Sequence, residues 1–302
     1  MCTPIILATC VYNMTSVVDQ VIFTNLMSRK GLGAEDIASL YGLFGYRVRP
    51  IINIPIALAS ATSTALIPAV ATSVAEGSRK GAISKIDECV KLTMMIAIPA
   101  AVGIAILSYP VIKILYPGGN VRDAAILLSI GAVSVIFYSL STVTNGVLQG
   151  LGKASLPVIH AAVALGVNVA VTYITVGILN IGVYGIVSAT VLYSLTVMVL
   201  NAFSIRKHIG YVHQVRQFLI PLRAALVMGI CVAAIYWGPS MLLPGFFSRY
   251  LPGAVLCAVS VFAGIIVYFL VFGKSPDLTD DDLRKMPMGT RLLGLLRKLH
   301  IR

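Results

Sequence analysis

The sequence predicts an all-α protein that crosses a membrane about eight times. Of its 302 residues, 58% are hydrophobic and 11% are charged, and the mean hydropathy is +0.93. A soluble domain has about 25% charged residues. The apolar residues form eight runs, and a membrane-crossing helix needs roughly 20 residues. The runs cover residues 4–28, 50–75, 92–112, 123–148, 156–179, 183–205, 218–239 and 250–272.

The basic residues are distributed unevenly between the two ends of these spans. An even number of spans puts both termini on the same side of the membrane. If that side is cytoplasmic, 16 of the 23 Lys and Arg residues are internal and 7 are external, as the positive-inside rule requires. We therefore expect cytoplasmic termini and an external loop around 29–47. The net charge of +12 then reflects orientation in a lipid bilayer and does not indicate binding to nucleic acid.

The residues that perform enzyme chemistry do not form a recognisable pattern. The five cysteines have no CxxC spacing, and the four histidines are scattered along the chain. A metal site needs convergent His, Cys or carboxylate groups, so we expect no metal and no other cofactor. We also expect that the protein is not an enzyme.

The first residues, "MCTPIILATCVYN", enter an apolar run without the positively charged region that opens a signal peptide. We interpret the chain as the C-terminal part of a longer protein or as one half of a split transporter.

The first span carries a carboxylate. Asn13, Ser16 and Gln20 share one face of a helix, and Asp19 lies one residue round from that face. A carboxylate inside a span costs about 3 kcal/mol on insertion scales, so we expect it to face a partner or a hydrated cavity. The alternative is a side chain near the interface that reaches water.

Two arginines open the second span, in "GYRVRPIINIP". Arg47 and Arg49 enter at a depth from which one of them can reach Asp19. A guanidinium at the mouth of a cavity suits phosphate, which it can bind with two hydrogen bonds. The alternative is that both arginines anchor the helix to lipid headgroups. Asn53 begins a polar stripe that Ser60 and Thr64 continue.

The fourth span carries a polar stripe in "YSLSTVTNGVLQGLGKASLPV". Tyr138, Thr142, Asn145 and Gln149 follow at steps of four, three and four, which is one face of a helix. In the fifth span Asn168 shares a face with Thr172 and Thr175. Four of the first five spans therefore carry polar stripes, and we interpret them as the lining of one hydrated cavity. Interhelical hydrogen bonds would explain one or two such stripes.

The remaining segments differ from these spans. We expect "AEGSRKGAISKIDECVK", residues 75–91, to be a basic cytoplasmic loop. The last two spans carry few polar side chains and are expected to face lipid. The tail ends in leucines that alternate with basic residues, which predicts an amphipathic helix over 290–302 on an anionic membrane surface.

Four motifs in this order resemble the stage V sporulation protein B branch of the polysaccharide-export and MurJ-type flippase family. They are "INIPIALASATSTALIPAVATSVAEG", "YPGG", "NGVLQGLGKASLPV" and "LTDDDLRKMPMGTRLLGLLRK". The resemblance implies a six-helix transmembrane lobe over 1–205, two additional helices over 206–273 and a cytoplasmic tail over 274–302. In this family, part of the MOP flippase superfamily, the six-helix lobe would be the second of two.

The resemblance also implies a substrate and a site. Members of the family move undecaprenyl-pyrophosphate-linked saccharides, such as peptidoglycan lipid II, across the bacterial plasma membrane by alternating access. In the MurJ branch an arginine near the start of the second of these spans serves the pyrophosphate. Arg49 falls one residue from that position, and Arg47 is the alternative. The cavity lies between two lobes, so the resemblance implies a separate N-terminal lobe as a partner.

Two other functions remain open. A multidrug or cation antiporter of the related multidrug-extrusion class would share the lobe plan, and Asp19 would then be its coupling carboxylate. The other reading is a non-transporting orphan fragment or a scaffold for another subunit.

Overall fold

The computed structural model describes residues 3–242 and 250–274, with side chains from Met14 onward apart from residue 240. Within these ranges the chain folds into helices joined by short turns. The first half contains α1 (Thr3–Arg29), α2 (Ala34–Gly42), a π-helix (Leu43–Val48), α3 (Arg49–Ala75), α4 (Arg79–Ile106) and α5 (Ser108–Leu115). The second half contains α6 (Val121–Gly150), α7 (Ser155–Thr172), a second π-helix (Tyr173–Ile178), α8 (Val183–Ile209), α9 (Arg216–Leu242) and α10 (Tyr250–Gly273).

Seven helical segments of the described chain are long and apolar enough to cross a membrane. They correspond to the second to eighth predicted spans, so the prediction of a polytopic helical membrane protein is confirmed. The first predicted span is α1, a helix of 27 residues that stands outside those seven. The predicted tail helix over 290–302 lies outside the described residues, as does all of the tail after Lys274.

Helix α6 forms the centre of the bundle. In its most apolar stretch 67% of the residues are buried, against 50% or fewer in the other six spans. It packs on α3, α4 and α8. Glycines bring α3 close, because a Cβ atom at Gly146 would lie 3.0 Å from the Ser63 carbonyl oxygen. At the same crossing the Ser63 hydroxyl donates to the Thr142 carbonyl at 2.9 Å.

The other helices surround this centre. Helix α1 packs mainly on α7, and α7 packs on α8. Helices α9 and α10 pack on each other, and α9 also packs on α4. The outer side of α10 exposes large apolar side chains such as Phe262 and Ile266, a surface that suits lipid. The division into a lobe over 1–205 and a helix pair over 206–273 stays a prediction.

The prediction that residues 75–91 form a loop is wrong, because most of the segment is helical. Only residues 76–78 lie outside helices, because α4 begins at Arg79. The Ser78 hydroxyl caps the helix by accepting from the Gly81 backbone N–H. Ala82, Ile86 and Val90 then recur at steps of four and are fully buried. The charges of the segment concealed this apolar face, since they lie on its other sides.

The connection over 29–47 is also mostly helical. Only residues 30–33 are not, and α2 runs directly into the first π-helix. A second π-helix extends α7. Short π-helices inside α-helices change the direction of the side chains that follow and frequently occur at functional sites. Here the first borders Arg49, which lies at the candidate site, and the second borders Thr172, which lies one turn after Asn168.

Candidate functional site

An ion pair lies at the start of α3. The Arg49 Nη2 atom is 3.4 Å from Asp19 Oδ2, and the side chains are 21% and 0% exposed. The first π-helix ends at Val48, so Arg49 is the first residue of α3. Its guanidinium also lies 5.3 Å from the centre of the Phe44 ring. A buried membrane carboxylate thus has a cationic partner, and that partner is accessible from one side.

Buried polar groups of α7 and α8 lie next to Asp19. The Asn168 side chain of α7 faces Asp19, and Tyr193 of α8 is a further neighbour. Among the described residues, Asp19 Oδ1, the Asn168 amide, the Thr172 hydroxyl and the Tyr193 hydroxyl are buried without a hydrogen-bond partner. Such groups are costly in a membrane interior. Of these groups, Asn168 and Tyr193 interact with Asp19, and together with the ion pair they mark the candidate site.

A cavity of about 190 Å³ opens next to the ion pair. Arg49 and Asn53 reach it from α3, and Tyr138 reaches it from α6. The Tyr138 ring is 6.0 Å from the ring of Tyr193, which connects the cavity wall to the cluster around Asp19. The full lining is Thr15, Ser16, Phe44, Arg49, Ile52, Asn53, Tyr138 and Thr190. The cavity therefore combines one cation with amide, hydroxyl and aromatic groups.

Arg47 is used differently from Arg49. Its Nη1 atom donates to the Gly118 carbonyl at 2.8 Å, and its guanidinium lies 5.9 Å from the centre of the Tyr116 ring. Both contacts belong to the "YPGG" turn between α5 and α6. Arg47 does not line the cavity. Of the two predicted arginines, the structure places only Arg49 at the site.

The predicted polar stripe of α6 forms one face of that helix. Tyr138 is buried against the cavity, whereas Thr142, Asn145 and Gln149 are half-buried in the stretch 138–150, in which all the other residues are buried. The Thr142 hydroxyl donates to the Tyr138 carbonyl at 2.8 Å. On the neighbouring α3, the predicted stripe of Asn53, Ser60 and Thr64 is exposed. Two adjacent helices therefore present polar groups on the accessible side of the bundle.

The inward face of α1 differs from the predicted face. Thr15, Asp19, Phe23 and Met27 follow at steps of four and are buried. Ser16 is half-buried and Gln20 is exposed, while the Asn13 side chain lies outside the described residues. The prediction followed polarity along the helix, but packing against α7 selects the face with the large apolar side chains. Thr15 was missed for this reason, although it stands four residues before Asp19.

Metal binding has no obvious donor set in the described part of the chain. No group of three or more His, Cys, Asp or Glu side chains converges there.

Comparison with known proteins identifies the family. The model of the family described as lipid II flippase MurJ matches residues 7–259. The lipid II flippase MurJ of Bacillus subtilis (strain 168) is 27% identical over 291 residues, which are 93% of this chain and 51% of that protein. The probable lipid II flippase MurJ of Aquifex aeolicus (strain VF5) is 31% identical over 114 residues, which are 36% of this chain and 23% of that protein. The first of these relatives is thus about twice as long as the part that the chain matches.

Solved structures share the fold. The lipid II flippase MurJ in an inward closed conformation superposes with a TM-score of 0.64 at 19% identity and covers 86% of this chain and 50% of that chain. A MATE structure in the bent conformation superposes with a TM-score of 0.55 at 18% identity. The superposition covers 93% of this chain and 65% of the MATE chain. At these identities the likeness concerns the fold alone. The family match is broader evidence, because it spans most of the sequence. Flippases are transporters and not enzymes, and the chain belongs to the lipid II flippase MurJ family.

Proposed function

We propose that the chain forms a lobe of a flippase that moves undecaprenyl-pyrophosphate-linked saccharides across the bacterial plasma membrane. The observation that carries this proposal is the ion pair of Arg49 and Asp19 beside the cavity. The family and the name of the Bacillus subtilis relative support lipid II, or a similar lipid-linked precursor, as the substrate. The quoted motifs favour the stage V sporulation protein B-like branch within this proposal.

Arg49 is the group that binds the pyrophosphate. Its guanidinium is 21% exposed and lines the cavity, so an anion can approach it while Asp19 stays buried behind it. A pyrophosphate carries more negative charge than one carboxylate and accepts two parallel hydrogen bonds from a guanidinium. Substrate would therefore take Arg49 from Asp19. This exchange couples binding to the relative position of α1 and α3, because the ion pair joins these helices.

The saccharide lies along the polar stripe of α6, from Tyr138 toward Gln149, with Asn53 of α3 beside it. The apolar outer surface of α10 suits the lipid tail. The polar, accessible side of α3 and α6 is where a second lobe would close the cavity, either as a separate N-terminal lobe or as another part of a longer chain. In this proposal both termini are cytoplasmic.

Cation antiport is the weaker alternative. The MATE structure shares the fold at 18% identity, which carries no argument on function. A coupling carboxylate has to exchange protons or cations, whereas Asp19 is engaged with a guanidinium.

The proposal is tested by lipid binding to the purified chain in nanodiscs. Wild type is expected to bind undecaprenyl pyrophosphate saturably, and Arg49→Ala is expected to weaken binding about tenfold or more, since hydrogen bonds to charged groups contribute roughly 1.5–3 kcal/mol. Arg47→Ala is the matched control, because Arg47 contacts the "YPGG" turn and not the cavity. Equal losses in the two variants, or no saturable binding by wild type, would contradict the proposal.

A further inference from the structure

A buried hydrogen-bond network joins α6, α7 and α8 behind the polar stripe. At its centre is Asn201 of α8, which is fully buried. Asn201 Oδ1 lies 2.7 Å from His160 Nδ1 of α7. Asn201 Nδ2 lies 2.8 Å from Asn145 Oδ1 and 3.0 Å from Thr144 Oγ1 of α6. The network thus ends on Asn145, one of the half-buried residues of the stripe.

The hydrogen-bond partners determine which way the Asn201 amide points. The Thr144 hydroxyl has one hydrogen, which it donates within α6 to the carbonyl of Leu140 at 2.8 Å or of Ser141 at 3.0 Å. Toward Asn201 the Thr144 oxygen is therefore an acceptor, and the atom that faces it must be the amide nitrogen. Asn201 consequently presents its oxygen to His160.

His160 then carries a hydrogen on Nδ1, since it donates to Asn201 Oδ1. Its second ring nitrogen, Nε2, lies 3.2 Å from the Ser204 hydroxyl, which completes the set. The histidine is 8% exposed. An imidazole with a partner on each nitrogen holds one orientation, and it holds Asn201 with it.

The orientation of Asn145 follows from that of Asn201. Its Oδ1 accepts from Asn201, so the amide nitrogen with its two hydrogens is directed away from the network. Among the described residues this is the one hydrogen bond of the Asn145 side chain. Asn145 therefore offers donors on the half-buried face of α6, and donors recognise the hydroxyl, carbonyl and ether oxygens of sugars.

We propose that Asn145 recognises the saccharide of the bound lipid by donating hydrogen bonds to it. His160 and Asn201 are positioning residues that keep the Asn145 donors directed toward the ligand. This inference rests on the proposed function. Asn145 lies seven residues beyond Tyr138, which is about 10 Å along the helix at 1.5 Å per residue. The pyrophosphate sits at Arg49 beside Tyr138, so a sugar attached to it extends toward Asn145. Asn145 contacts the sugar and not the pyrophosphate.

Two lipids separate this role from a purely structural one. The full chain in nanodiscs is titrated with undecaprenyl pyrophosphate and with lipid II, which adds the saccharide. Asn145→Asp keeps the acceptor toward Asn201 and replaces the donor by an acceptor. It is expected to weaken lipid II binding about tenfold, because a sugar oxygen would then face an acceptor instead of a donor. The affinity for undecaprenyl pyrophosphate is expected to stay within about twofold of wild type.

The positioning residues are tested through the same selectivity. His160→Leu removes the donor to Asn201. It is expected to weaken the binding of lipid II about tenfold and to leave the affinity for undecaprenyl pyrophosphate within about twofold of wild type. His160→Gln retains an amide donor and is expected to restore most of the lipid II affinity. Asn25→Asp, an exposed site on α1, is the matched control for the asparagine change and should alter neither affinity.

The outcomes distinguish saccharide recognition from a role of the network in folding alone. Equal losses for both lipids in Asn145→Asp or His160→Leu would assign the network to folding alone and overturn the inference. Unchanged lipid II binding in Asn145→Asp, or a His160→Gln variant as weak as His160→Leu, would overturn it as well. Failure of wild type to bind undecaprenyl pyrophosphate would instead overturn the proposed function first, and the saccharide-reading role with it.

Discussion

Arg47 and Arg49 are separated by one residue, and they perform different tasks. Arg47 fastens the end of the first π-helix to the "YPGG" turn, and Arg49 holds Asp19 at the cavity. Residues two apart on an α-helix point about 200° away from each other, and here Arg47 belongs to the first π-helix whereas Arg49 begins α3. The two side chains therefore leave the helix on nearly opposite sides. One reaches the neighbouring turn and the other reaches the interior.

Asp19 competes with the substrate for Arg49 in the proposed mechanism. Asp19→Asn removes this competing charge but keeps the shape of the side chain. We expect the variant to bind undecaprenyl pyrophosphate about three- to tenfold more tightly than wild type, because Arg49 no longer has to leave a carboxylate. Binding isotherms in nanodiscs measure the change. Asp36→Asn, an exposed carboxylate on α2, is the control.

Weaker binding by Asp19→Asn would show that the carboxylate positions the guanidinium for the ligand. The exchange mechanism would then be wrong, even if Arg49 remains the binding residue.

The candidate site is built on α3 and α6, and its geometry depends on the close crossing of these two helices. One of them carries Arg49 and Asn53, and the other carries Tyr138 and the polar stripe. Gly146 permits the approach, since a Cβ atom there would lie 3.0 Å from the Ser63 carbonyl oxygen and still closer to its hydroxyl. Neither backbone can yield locally, so the helices would have to separate.

We therefore expect Gly146→Ala to lower the thermal stability of the purified chain by several degrees, in the range of about 1–3 kcal/mol for overpacking. Gly166→Ala on α7 is the matched control, because a Cβ atom there meets nothing within 4 Å. The control should be neutral or slightly stabilising, since alanine is the better helix former. Equal melting temperatures for the two variants would show that the crossing adapts.

The turn between α8 and α9 contains a histidine enclosed by aromatic rings. The His213 ring is 5.1 Å from the Tyr211 ring and 6.2 Å from the Phe218 ring, measured between centroids. Both ring nitrogens are buried without a hydrogen-bond partner in the described part of the chain. Burial lowers the pKa of His213 below its ordinary value of 6.5, and the nearby Asp87 carboxylate opposes this in part. The packed turn therefore favours the neutral imidazole.

The stability of this turn should consequently depend on pH. Below about pH 6.5 an opened turn binds a proton on His213 while the packed turn does not, so the packed form loses stability as the pH falls. We expect faster hydrogen exchange of the amides over 211–217 at pH 5.5 than at pH 7.5, after correction for intrinsic rates. His213→Phe should remove the difference. Persistence of the pH effect in that variant would assign it to another group.

At the scale of the whole molecule, apolar run length was enough to predict the fold class, because a bilayer imposes one length on every crossing. The start of α4 was not predictable in the same way. It carries the exposed Lys80 and Lys85 together with a buried apolar face, and the charges dominated the pattern. The depths of Asp19 in the first span and of the arginines at the start of the second were sufficient to predict that an arginine could reach Asp19. Choosing between Arg47 and Arg49 required the π-helix, which leaves no clear signature in composition.

The network around Asn201 could not be predicted because it needs the crossing of three helices. His160 stands alone on its span in the sequence, and Asn201 lies near the end of an apolar run. Each becomes meaningful only when α7 and α8 pack behind α6. Polar residues that recur at helical steps, such as those of the α6 stripe, are visible in sequence. Single polar residues that meet from different helices are not.

We propose an orientation of the whole chain in the membrane from its charge distribution. With both termini inside, 16 of 23 basic residues are cytoplasmic, and the start of α4 with Arg79 and Lys80 lies on that side. Position 33, before α2, then lies outside, next to the mouth of the cavity. Both positions are exposed, so each is accessible to a reagent on its own side.

In a cysteine-free background we expect a membrane-impermeant maleimide to label Gly33→Cys in intact cells and to spare Lys80→Cys until the cells are permeabilised. Labelling after permeabilisation shows that both variants are present and reactive. The reverse pattern would turn the molecule over, placing the Arg49 end of the cavity on the cytoplasmic side, where a lipid-linked precursor would first be captured instead of released.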